Sequence, residues 1–146
     1  MRAPLRISVA VMDKYLQRPD LGLLILRLGA GSFMLTHGWP KFQKILAGDW
    51  TFADPIGLGQ APSLAFAAFA ELFCSLLVIA GFRVRLAAIP VVFTMLVAGI
   101  IVHAADPWAK KEFALLYAVC FAALLLLGGG RYSLDALLDR RAPKAE

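Results

Sequence analysis

Four apolar runs of roughly twenty residues, 20–39, 62–82, 84–104 and 112–130, constrain this chain more than any other feature. A hydrocarbon layer ~30 Å thick takes about 20 residues of helix to cross, and a helix satisfies its own backbone polar groups there. The runs fill most of a 146-residue chain that is 60% hydrophobic and 17% charged, against roughly 45–50% and 25% in a soluble domain. The sequence predicts an all-α, polytopic membrane protein built as a four-transmembrane-helix bundle over residues 20–138. The first run is too long for a signal-peptide core and has no small-residue cleavage site, so it reads as a permanent span. Pro62 and Pro107 suit the first turns of helices, while Gly81 and Gly128–Gly130 suit their ends. Pro90 should kink the third span near its start. Only the short turn around Arg83 separates the second and third runs, which therefore form an antiparallel hairpin.

A formal charge of +5 could indicate nucleic acid binding, but the basic residues flank the apolar runs. Ten of the fifteen Lys and Arg residues fall on the side made by the N-terminus, the 83–85 turn and the C-terminus; Lys41, Lys44, Lys110 and Lys111 fall on the other. The positive-inside rule then makes both termini cytoplasmic, and topology together with anionic lipid accounts for the basic excess without nucleic acid. Within residues 1–19, Leu5, Val9, Met12 and Leu16 recur at helical spacing, as in an amphipathic interfacial helix; a disordered tail is the alternative. Residues 139–146 read as a cytoplasmic tail. The connection 40–61 carries Phe42, Trp50, Phe52, Ile56 and Leu58, too many apolar residues for a solvated loop, and should either fold over the outer mouth of the bundle or dip into the interface.

The first run contains Arg27, and a charge at mid-membrane costs at least ~2.5–3.5 kcal/mol to insert. The second run contains a single charge, Glu71. Counted at 1.5 Å per residue, Arg27 lies about 10 Å and Glu71 about 15 Å from the same membrane face, within reach of an arginine side chain. An intramembrane Arg27–Glu71 ion pair is therefore expected, either as a lock between two helices or as the lining of a polar cavity. A second polar layer gathers at the opposite face: His37, Lys41, His103, Lys110, Lys111 and Glu112. Three readings are open for it: ordinary interfacial residues, a head-group site for a lipophilic molecule such as a quinone, or a bis-His haem or metal pair through His37 and His103. No carboxylate–histidine spacing and no CxxCH motif supports the last, so metal and haem are not expected. Cys74 and Cys120 are isolated within apolar runs and read as inert core thiols.

Arg27, His37-Gly38, Lys41, Glu71-Leu72-Phe73, Gly81-Phe82-Arg83-Val84-Arg85, Glu112 and Gly128-Gly129-Gly130-Arg131-Tyr132-Ser133-Leu134-Asp135 follow one another in the order and spacing of the DoxX family of bacterial membrane proteins, which the chain resembles from about residue 20 to 138. The resemblance implies a four-helix bundle in the bacterial inner membrane with cytoplasmic termini. It also implies a likeness to the membrane subunit of thiosulfate:quinone oxidoreductase, and so a quinone-linked role in partnership with a redox protein rather than a complete enzyme. His37, Lys41, Glu71, His103 and Glu112 are the candidate ligand-binding residues; none is assigned as catalytic. A non-catalytic scaffold, a homo-oligomer among its forms, and a small carrier or proton pathway are the rival readings.

Overall fold

The computed structural model describes residues 18–141, and the regular structure among them is helical. Helix α1 spans Pro19–Leu46, α2 Gln60–Ala80 and α3 Val84–Val102, α4 Trp108–Leu127 and α5 Leu134–Arg141. The amphipathic helix expected over residues 5–16 lies outside the described residues. α1, α2 and α3 are long and apolar enough to cross a membrane. α4 has 20 residues but carries Lys110, Lys111 and Glu112 in its opening turns. α1 packs on α2 and α4, and α3 packs on the same two, so the four long helices close a bundle. Its core is built from fully buried Met34, Val78, Val91, Phe121 and Leu124. Its outer surface is also apolar, with Ile25, Phe33, Ile89, Phe113 and Leu126 exposed. Helices apolar on every face suit a protein whose solvent is lipid.

α1 does not stop at residue 39 but continues through Pro40 to Leu46. A proline inside a helix removes one backbone donor, here the one that would reach Thr36, and the surrounding bonds carry the helix onward. The consequence is functional: Lys41, expected in a connection, becomes part of α1. The glycine end signals hold. Gly81 closes α2 in the left-handed conformation (φ 78°), and Gly128 follows α4 with φ 81°.

Glycines fix the register of α1 on α2. A Cβ on Gly38 would lie 2.6 Å from the backbone of Glu71 and Leu72, and one on Gly31 would lie 2.5 Å from Ile79. At Gly38 the two backbones touch, and at Gly31 the Ile79 side chain packs onto the α1 backbone, as small residues permit between membrane helices. Within α2 the backbone widens into a π-helical stretch at Phe69–Cys74, and α3 does the same at Ala98–Val102. Such wide turns are uncommon and often accompany functional sites. The first contains Glu71; the second leads directly into His103.

Candidate functional site around Lys41, Glu71 and His103

The buried face of α1 is Arg27, Ala30, Gly31, Met34 and Gly38. Continued by three residues, that face reaches Lys41. Its Nζ lies 2.5 Å from Oε2 of Glu71, whose side chain is only 4% exposed, and 3.1 Å from the His37 carbonyl, to which it also donates. Glu71 is therefore paired with Lys41, not with Arg27. The expected Arg27–Glu71 pair fails on register: with Gly38 against Glu71, Arg27 comes to lie opposite Val78, seven residues or about 10 Å further along α2.

Arg27, 1% exposed, is turned toward the other end of the bundle. It donates from one nitrogen to the Tyr132 carbonyl at 2.7 Å and from another to the Val78 carbonyl at 3.5 Å. Val78 belongs to the last turn of α2, the negative end of the helix dipole, and its carbonyl also accepts the Gly81 amide at 3.1 Å. Asp135 is the carboxylate that attracts Arg27. The same Asp135 accepts the amides of Arg83 (3.0 Å) and Val84 (3.4 Å) at the start of α3, while Asp20 of α1 accepts that of Arg131 (2.8 Å). Arg27 is thus the buried bolt of a clasp joining the 128–135 segment to α1, α2 and α3.

Two cavities meet at the Lys41–Glu71 pair. One, of about 460 Å³, is bounded by His37, Lys41, Glu71, His103, Lys110 and Tyr117, with Met95, Ala98, Phe113 and Ala114. The other, of about 360 Å³, lies between α2 and α3 beneath the 47–59 connection and is mainly apolar, walled by Phe52, Ile56, Leu58, Phe66, Phe93 and Val97. Lys41, Glu71, Ala98 and His103 face both. Residues 40–46 of the expected connection belong to α1; of the rest, Phe52, Ile56 and Leu58 line the second cavity, while Trp50 is exposed.

Four of the five candidate ligand residues, His37, Lys41, Glu71 and His103, come together in this way. Glu112 does not. The cavity face of α4 is Lys110, Phe113, Ala114 and Tyr117, and Glu112 lies between those positions on the helix, exposed. The cavity also takes in Tyr117, whose ring meets His37 edge-on at a centroid distance of 5.6 Å; its spacing of seven from Lys110 was the available signal in the sequence. Sequence reasoning missed Asp106, whose Oδ2 lies 2.7 Å from Nδ1 of His103. That bond, followed by the charge of Lys110, holds the Asp106 carboxyl below its usual range, and it leaves the second ring nitrogen of His103 for another partner. Among the described residues no three His, Cys, Asp or Glu side chains gather as a metal site.

The architecture is that of an all-helical membrane protein with a polar chamber adjoining an apolar one near one end of its bundle. The DoxX family model matches residues 22–104, more than half of the chain, and the chain belongs to the DoxX family. The matched stretch contains Arg27, His37, Lys41, Glu71 and His103; it ends before α4 and the 128–135 clasp. No curated protein and no solved structure matches the chain.

Proposed function

We propose that this DoxX protein is the membrane subunit of a redox system and holds a lipophilic quinone at the junction of the two cavities. One observation carries the reading: a chamber lined by six hydrogen-bonding side chains shares Lys41, Glu71 and His103 with a neighbouring chamber walled by aromatic and aliphatic side chains. A quinone has carbonyl acceptors at one end and an apolar tail at the other, and ligand sites of that kind combine apolar walls with a few polar anchors. His37, Lys41, Tyr117 and His103 supply the anchors; Phe66, Phe93, Ile56 and Leu58 supply the walls. When bound, a quinone supplies two-electron, two-proton chemistry. The chain's own part is to seat the head group, cover the tail beneath the 47–59 connection, and hold exchangeable protons at Glu71, His37 and His103. Electrons come from a partner redox protein. α4 serves as the fourth span, and the clasp end, where Lys and Arg concentrate, faces the cytoplasm of a bacterial inner membrane.

His37→Ala tests the reading. Losing one anchoring hydrogen bond should weaken binding of a soluble-tailed quinone analogue by roughly ten-fold, equivalent to about 1.4 kcal/mol. The melting temperature in detergent should hardly move, because the exposed His37 contributes little packing. A large stability loss with unchanged binding would make His37 a packing residue and refute the site.

A further inference from the structure

The opposite end of the bundle holds a third cavity, of about 670 Å³, at the mouth of the α2–α3 turn and the 128–130 glycines. We propose that it is a specific site for one anionic phospholipid, whose phosphate is bound by Arg83 and Arg85. Arg83 is the one non-glycine residue among the described residues with positive φ (47°). Glycine adopts that conformation without penalty, whereas any side chain there is held against a steric cost, which points to a use for the side chain. Arg85 is seated by Gly128, where a Cβ would come within 3.2 Å of its Nε.

Neither arginine forms an ion pair among the described residues. Two carboxylates also face the cavity. Asp135 is held by the backbone amides of Arg83 and Val84, and its charge is offset by the buried Arg27 that it attracts, which leaves Asp139 as the opposing charge. The net field favours an anion, and the planar fork of arginine suits phosphate. The walls choose among anions: Phe82, Leu86, Leu127 and Leu138 are all exposed beside the arginines. Apolar surface next to paired guanidiniums, at the end where α2 and α4 terminate, matches a diacyl phosphate better than a free one.

The experiment is native mass spectrometry of the full chain in nonionic detergent, titrated with phosphatidylglycerol or phosphatidylcholine. One phosphatidylglycerol should be retained in preference. With about 1 kcal/mol, or five-fold, per arginine, Arg83→Gly combined with Arg85→Gln should weaken its binding by roughly 25-fold. The melting temperature without lipid should hold or rise, since a glycine relieves the backbone at the positive-φ position. Asp139→Asn, which disturbs no backbone bond, should tighten binding. Equal retention of the two lipids, undiminished binding by the arginine variant, or unchanged binding by Asp139→Asn would overturn the proposal. Displacement of the lipid by millimolar inorganic phosphate would do so too, marking a site for free anions.

Discussion

Arg27 carries a full charge at 1% exposure without a carboxylate against it, and its neutralisation is spread over carbonyl dipoles at the end of α2, Tyr132 and the field of Asp135. Lys41 and Glu71 are the more direct pair. The asymmetry of their exposure, 22% against 4% for the side chains, sets the consequences of breaking it. Lys41→Met strands a buried carboxylate and should cost about 3 kcal/mol, toward the low end for a broken buried pair because Lys41 is partly wet. Glu71→Leu should cost less, since Lys41 can then reach water. The double variant should recover at least about 1 kcal/mol relative to the sum of the singles, whereas Arg27→Leu and Glu71→Leu should be additive within about 0.5 kcal/mol. Thermal or denaturant unfolding in detergent reports all of these. Strong coupling of Arg27 to Glu71, with none between Lys41 and Glu71, would show the register to be wrong. The sequence made plain that the first and second runs each contained a buried charge needing compensation. It could not show the partners, because depth counted from the ends of the runs is blind to how two helices slide, and the glycine contacts at 31 and 38 settle that.

At the scale of elements, the close approach of α1 and α2 rests on Gly38. A methyl group there meets the backbone of Glu71 and Leu72, which cannot rotate away as a side chain would, so Gly38→Ala should cost about 1–3 kcal/mol as overpacking. It should also pull Lys41 away from Glu71. A variant as stable as the parent would mean the helices are not in contact at that point. The extension of α1 ends in a turn organised by Asp49, which accepts the Thr51 hydroxyl and amide and pairs with Lys44 at 3.1 Å. These hydrogen bonds, the Thr51 hydroxyl foremost, lower the Asp49 carboxyl from 3.8 to about 2. A depressed carboxylate stabilises the folded turn above its unfolded value and loses that contribution as pH falls through the folded one. Amide exchange in residues 47–52 should therefore quicken between pH 4 and pH 2, after correction for intrinsic rates. Protection that stays flat across that window, or that declines only above about pH 5, would contradict the assignment. The order of the long helices was legible from hydropathy, and the glycine stops at 81 and 128 from turn chemistry. The passage of α1 through Pro40, the π-helical stretches and α5 were not. A proline reads as punctuation unless the surrounding packing holds the helix, and a π-helical turn has no local residue signature of its own.

At the scale of the whole molecule, the bundle is fastened at its two ends by different means. The clasp around Arg27, Asp20 and Asp135 joins α1, α2 and α3 to the 128–135 segment. The other end leaves room for two cavities, both faced by Lys41 of α1, Glu71 of α2 and His103 just beyond α3. The proposed quinone would occupy the end with room inside, while the clasp fastens the opposite end. Photoaffinity labelling with a quinone analogue, carrying the reactive group on the ring in one probe and midway along the tail in another, tests that account most directly. The ring probe should label His37, Tyr117 or His103 and the tail probe Phe66, Phe93 or the 52–58 segment, with both suppressed by excess unlabelled quinone. Labelling spread over the lipid-facing residues Ile25, Phe33 and Leu126, insensitive to competition, would contradict it.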